Sequence, residues 1–134
     1  MTSIVLDTHV LIWYIFDSAR LSPMALTSLE NAVSNQGKIQ VSAISIIEIT
    51  YLVEKGRIAA EVLARVIEAI NNPAVNIFLV LVDLNISQMM QQIDRQIVPE
   101  MPDRIIAATA LYLGLPLVSC DLKIQALSNL QTIW

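Results

Sequence analysis

Apolar positions along the chain follow two rhythms. Short apolar or branched runs occur at Ile4-Val5-Leu6, Ile39 to Ser42, Ile77 to Val82 and Leu117 to Ser119. Each has the length of a strand, and their near-continuous apolar character suits strands covered on both faces. Between them, apolar residues recur three and four apart, as on one side of a helix. The pattern predicts helices from His9 to Phe16, from Pro23 to about Ser34, from Ala59 to Ile70, from Ser87 to Ile93 and from Pro102 to Leu113.

Local chemistry marks where these helices begin and end. Ser22 precedes Pro23, an N-cap followed by the one helical position where proline costs nothing. Asn35-Gln36-Gly37 ends that helix. Ser45 heads a further helix with Glu48 three residues on, the spacing of a capping box, and Gly56 closes it. Asn71-Asn72-Pro73 stops the helix that starts at Ala59. Gly114 and Pro116 end the one that starts at Pro102. A short helix follows Asp121, and Gln131 to Trp134 reads as a last edge strand. Strands alternating with helices, with no repeat or linker, predict one domain over residues 1–134. Its fold class is α/β: a three-layer α/β/α sandwich around a mainly parallel sheet of four to five strands.

Composition sharpens this picture. Hydrophobic residues make up 55% of 134 positions, and mean hydropathy is +0.62. A buried parallel sheet accounts for part of that excess, and an apolar oligomer or partner interface for the rest. The most apolar stretch, Val75 to Leu84, is too short to span a bilayer, so no membrane association is expected. The first residues, MTSIVLDTHV, lack the basic start and apolar block of a signal peptide. The single cysteine, Cys120, has no partner for an intrachain disulfide. A cytoplasmic location is therefore the expectation.

The net charge of −4 argues against a chain-wide electrostatic grip on nucleic acid. The excess is localised, however. Setting aside Asp7, Glu48, Asp103 and Asp121 leaves equal numbers of acidic and basic residues. Asp7 and Asp121 each lie just past an apolar strand, at the carboxyl edge of a parallel sheet, where ligands of such folds bind. Asp103 lies in the first turn of a helix and Glu48 near the start of another. Carboxylates brought that close repel, and need a cation, a proton or a basic partner. Hard oxygen donors favour Mg²⁺, with Mn²⁺ as the alternative. With only His9 and Cys120 available, no zinc cage of histidines and cysteines can be built. A divalent ion in an acidic cleft suits hydrolysis of a phosphodiester.

The residues around these acids also resemble a family. Leu6-Asp7-Thr8-His9-Val10-Leu11-Ile12-Trp13, Ser45-Ile46-Ile47-Glu48-Ile49, Pro102-Asp103-Arg104-Ile105-Ile106-Ala107-Ala108-Thr109-Ala110 and Val118-Ser119-Cys120-Asp121 resemble, in this order, the motifs of the PIN domain. More narrowly, they are similar to VapC-type toxins of bacterial toxin–antitoxin pairs. The resemblance implies a Mg²⁺-dependent endoribonuclease, a homodimer, held inactive by an antitoxin whose C-terminal segment covers the acidic cleft. It implies that Asp7 and Asp103 are the main metal ligands. Asp121 joins them directly or through water, Glu48 orients or activates water, and Ser119 hydrogen-bonds the cluster. The scarcity of basic residues departs from an RNA binder. Only Arg104 and Lys123 lie beside the acids in sequence.

Each of these residues has a plainer structural role as well. Asp7 and Asp121 can cap the helices that follow them. Glu48 can be half of a capping box, and Asp103 complements a helix dipole. His9 reads as a packed helix residue. Trp13 and Tyr14 read as core or dimer interface rather than base-stacking groups. Cys120 reads as a buried strand residue, and Met89-Met90 as adaptable packing. The alternative function is a non-catalytic module of the same fold that binds a protein partner. A phosphoryl-transfer enzyme of the haloacid dehalogenase type needs a second Asp two residues after the first, where this chain has His9.

Overall fold

In a computed structural model, which describes residues 3–134, five strands form one sheet in the order β3-β2-β1-β4-β5. They are β1 (Ile4–Leu6), β2 (Ile39–Ser42), β3 (Ile77–Val80), β4 (Leu117–Val118) and β5 (Thr132–Ile133). Every pairing is parallel. Val5 stands opposite Gln40 on one side and Leu117 on the other. Parallel neighbours need crossover connections. Seven helices occupy those connections and the turns beside them: α1 (Thr8–Ile15), α2 (Pro23–Ser34), α3 (Ala43–Glu54), α4 (Ala60–Asn71), α5 (Leu84–Met89), α6 (Met101–Leu113) and α7 (Leu122–Gln125). A 3-10 turn at Met90–Gln92 extends α5.

Alternation along the central strand divides the core in two. Ile4 and Leu6 join Val10, Leu11, Leu29 and Val66 on one face of the sheet. Val5 turns to the other face, with Ile86, Ile93, Ile106 and Ile124. Side chains of successive strand residues point to opposite faces, so β1 seeds both cores at once. This is the expected three-layer sandwich, and its sheet is wholly parallel. No helix among the described residues is long and apolar enough to cross a membrane.

Boundaries shift where tertiary contacts decide. The run to Val82 is cut at Val80. β3 is an edge strand, and Phe78 and Leu79 are exposed, so the expectation of strands covered on both faces fails there. Ser22 caps α2 as predicted, accepting from Ala25 N at 3.0 Å. In the turn after α2 the left-handed residue is Gln36 (φ 59°), not Gly37. The α3 cap differs too. Ser42, not Ser45, accepts a helix N–H, that of Ile44 at 3.2 Å. The helix begins directly from the end of β2. Ser45 therefore lies inside its first turn, and there is no capping box with Glu48.

Candidate active site

In a parallel sheet every strand delivers its last residue to the same rim. β1 delivers Asp7, and the strand stops there because Asp7 becomes the N-cap of α1. Its Oδ1 accepts from Thr8 N at 2.8 Å. Next in the sheet, β4 delivers Ser119, which is fully buried. The Ser119 hydroxyl donates to Asp7 Oδ2 at 2.7 Å and accepts from Asp121 N at 3.1 Å. Asp121 in turn caps α7, its Oδ1 accepting from Lys123 N at 2.8 Å and Ile124 N at 3.4 Å. The capping roles of both aspartates are thus present. Burial pushes the Asp7 carboxyl above its ordinary range, against the lowering effect of the Ser119 and Thr8 bonds.

β2 delivers α3, and α3 delivers Glu48. Its Oε1 accepts from the Thr8 hydroxyl at 2.6 Å. Thr8 Oγ1 also lies 2.9 Å from Ser45 Oγ, in a buried contact. A hydroxyl has one proton. With that proton given to the carboxylate, Thr8 accepts from Ser45. Ser45 and Thr8 thus position Glu48 from behind. Neither emerged as a site residue from sequence, because a hydroxyl in a first helical turn signals capping. Burial raises the Glu48 carboxyl, and the Thr8 bond partly offsets it.

Asp103 enters from α6, which opens with Met101 and Pro102. It makes no capping bond and is half-buried. Burial, followed by the charges of Asp7, Asp121, Glu48 and Glu100, pushes its pKa up to about 7. Every charged group that acts on it is acidic. This is the electrostatic mark of a carboxylate cluster with no positive partner among the described residues.

Asp7, Glu48, Asp103 and Asp121 line one cavity of ≈ 360 Å³, with Thr8, His9, Val10 and Cys120. A larger hollow, of ≈ 500 Å³, lies near the opposite ends of the strands around Ser3, Pro116 and Gln131. Its lining includes no charged side chain. The acidic cavity is singled out by chemistry rather than size. Among the described residues, no three carboxylate, imidazole or thiol groups converge tightly enough to hold an ion unaided. The donors present suit a hard ion that keeps several waters and takes only one or two carboxylates directly. They do not form an enclosed cage.

Two neighbours, Cys120 and His9, differ from expectation, and Arg104 is committed elsewhere. Cys120 lies beyond β4, partly exposed on the cavity wall, rather than in a buried strand. Burial and the Asp7 charge raise its thiol, which opposes thiolate chemistry. Arg104 is turned away from service to a phosphate. Its Nη2 donates to Met90 O at 2.8 Å and to Ile93 O at 3.3 Å, tying the turn after α5 to α6. His9 is exposed at the cavity mouth rather than packed.

Comparison with known proteins agrees with this architecture. Ribonuclease VapC22 of Mycobacterium tuberculosis is 28% identical over 126 residues, 94% of this chain and 92% of that protein. Among solved structures, a chain of VapBC2 from Rickettsia felis bound to a promoter DNA fragment superposes with TM-score 0.71 at 16% identity, over 96% of each chain. A chain of DNA-bound VapBC from Salmonella typhimurium superposes with TM-score 0.69 at 19% identity, over 98% of this chain and 97% of that one. At such identities these likenesses concern the fold. The PIN domain model matches residues 4–130, and with that match over nearly the whole length, the chain belongs to the PIN domain family.

Proposed function

We propose that this chain is the toxin of a VapC-type toxin–antitoxin pair, and that it is a Mg²⁺-dependent endoribonuclease. One observation carries the chemistry. Four carboxylates share a cavity, and burial together with the charges of the other acids pushes Asp103 up to about 7. The name of the curated relative and the toxin–antitoxin complexes among the structural neighbours support the class.

Asp7 and Asp103 are the main ligands of the ion, with Mn²⁺ able to replace Mg²⁺. Asp121 takes part directly or through water. Bound there, the ion would offset charge developing on the scissile phosphodiester and ease deprotonation of an attacking water. Glu48, oriented by Thr8, is placed to hold or accept the proton of that water. Ser119 keeps Asp7 aimed into the cavity. The partners are RNA as substrate, a cognate antitoxin and a second copy of the chain, in the cytoplasm.

The test is cleavage of single-stranded RNA by the purified protein. Mg²⁺ or Mn²⁺ should support it, EDTA should stop it, and Asp7→Asn should remove it. Cleavage that survives both chelation and Asp7→Asn overturns the proposal. If calorimetry shows no Mn²⁺ binding while a protein partner binds tightly, the non-catalytic interaction module replaces it.

A further inference from the structure

A row of rings leads out of the acidic cavity. His9 lines the cavity and is exposed at its mouth. Trp13 follows one helical turn later on the same side of α1. The two ring centroids lie 5.9 Å apart with the planes at 50°. Trp134 directly follows β5, so the parallel sheet brings it to the rim that carries Asp7 and Asp121. Its ring lies 5.9 Å from Trp13 at 51°. The guanidinium of Arg20, an exposed residue, stands over the Trp13 ring, 5.8 Å from its centroid. Both tryptophans of the chain are in this row.

The row is not simply core. Trp13 is half-buried and, among the described residues, belongs to neither apolar cluster, whereas its neighbours Ile12 and Tyr14 pack against one; Trp134 also packs against that cluster but is only half-buried, so part of its ring stays open at the rim. Tilts near 50° mean that adjacent rings meet at an angle and do not cover each other's faces. The setting also restricts what such a surface can bind. A polyanion entering an acidic cleft on a chain of net charge −4 gains little from bulk electrostatics. Base stacking on aromatic faces needs no net charge and tolerates any sequence. Arg104 Nη2 is taken by backbone carbonyls, and among the described residues the cation set against a ring of the row is Arg20.

We propose that His9, Trp13 and Trp134, with Arg20 beside them, form a stacking platform for the bases of single-stranded RNA flanking the phosphodiester in the acidic cavity. The platform rests on the ribonuclease reading above and supplies the substrate grip that composition lacks. Single-stranded rather than duplex RNA is required, because only unpaired bases can be splayed onto side chains. Arg20 contacts a neighbouring phosphate.

The tryptophans are their own reporters. An unstructured RNA oligonucleotide is titrated with Mg²⁺ into the full chain carrying Asp103→Asn, to prevent cleavage. An abasic ribose-phosphate oligomer of equal length, with the same charge and no bases, serves as control. Saturable quenching of tryptophan fluorescence by RNA, and not by the abasic oligomer, is expected. Trp13→Phe and Trp134→Phe should each remove part of the signal. In the otherwise wild-type chain, Trp13→Leu should raise KM by about 5- to 150-fold with kcat little changed. Arg20→Ala, at an exposed position, should lower the salt dependence of binding by about one phosphate contact. Equal quenching by both oligomers, or an unchanged KM for Trp13→Leu with Arg20→Ala also silent, overturns the platform. Cleavage by the wild type without base-dependent quenching leaves the nuclease standing and removes the platform. Base-dependent quenching without cleavage by the wild type does the reverse.

Discussion

The Ser119 hydroxyl donates to Asp7 Oδ2 at 2.7 Å, joining residues 112 positions apart across two adjacent strands. Ser119 Oγ also accepts from Asp121 N. One buried atom thus holds two of the four acids in register. Ser119→Ala leaves a buried carboxylate oxygen and an amide short of a partner, at a cost of about 1–3 kcal/mol. Urea denaturation should show that loss. Because the bond lowers the Asp7 proton affinity, Mn²⁺ binding by the variant should weaken most at low pH. Unchanged stability and unchanged Mn²⁺ affinity would show that the bond matters to neither.

Asp103 makes the metal-free protein sensitive to pH. Its folded pKa, about 7, lies above the ordinary value of 3.8. The folded state therefore binds this proton more tightly than the unfolded chain does. Its contribution to stability is fully present below pH 4 and is lost as pH rises through about 7. Asp7 and Glu48, also raised, act in the same direction. Thermal denaturation in EDTA should show stability falling across that window, and Mg²⁺ should restore it at pH 8.

Asp103→Asn removes the titrating charge. It should raise Tm at pH 8 in EDTA, flatten the pH dependence and abolish cleavage, the usual opposition of stability and activity at a site built for charge. The double variant Asp7→Asn/Asp103→Asn should lose little more activity than either single one, because groups that act as a unit are not additive. A Tm that drops for Asp103→Asn at pH 8 would contradict the electrostatic account.

Thr8→Val keeps the shape of the side chain and removes the hydroxyl between Glu48 and Ser45. Glu48 then loses the bond that lowers its proton affinity. The rate should fall, and its rise with pH should move to higher pH. A double-mutant cycle with Ser45→Ala should give a coupling of about 0.5–3 kcal/mol in stability. Additive effects would show that the two hydroxyls do not work together.

Gly114 ends α6 with φ 67°, and a Cβ built there meets nothing within 4 Å. Gly114→Ala therefore tests backbone strain alone. A loss of about 1–2 kcal/mol is expected, visible as a lower urea midpoint with an unchanged slope. Because α6 carries Asp103 at its far end, cleavage by the folded variant should stay near that of the wild type.

Much was legible along the chain. The α2 cap at Ser22 and Pro23, the glycine stop at Gly114 and the positions of Asp7 and Asp121 just past strands depend on residues within a turn of one another. Local periodicity and capping record such short-range physics. What local pattern misses has a common cause. The spacing of Ser45 to Glu48 fits a cap, yet Ser45 faces Thr8, 37 residues away. Arg104 neighbours an acid in sequence, but its Nη2 donates to carbonyls of the turn after α5. Trp13 meets Trp134, at the far end of the chain, a contact that no local pattern announces.

The sequence by itself determined which segments become strands and helices, and which acids stand at their ends. Those choices follow from side-chain period, proline and glycine geometry, and caps. Tertiary structure alone decided which acid Ser119 reaches, that Thr8 aims Glu48, and that His9 opens a row of rings ending at Trp134. Those relationships depend on the sheet order β3-β2-β1-β4-β5, which brings distant strand ends to one rim. They also depend on burial, which pushes Asp103 to about 7. No local pattern encodes either, because both are properties of the packed chain.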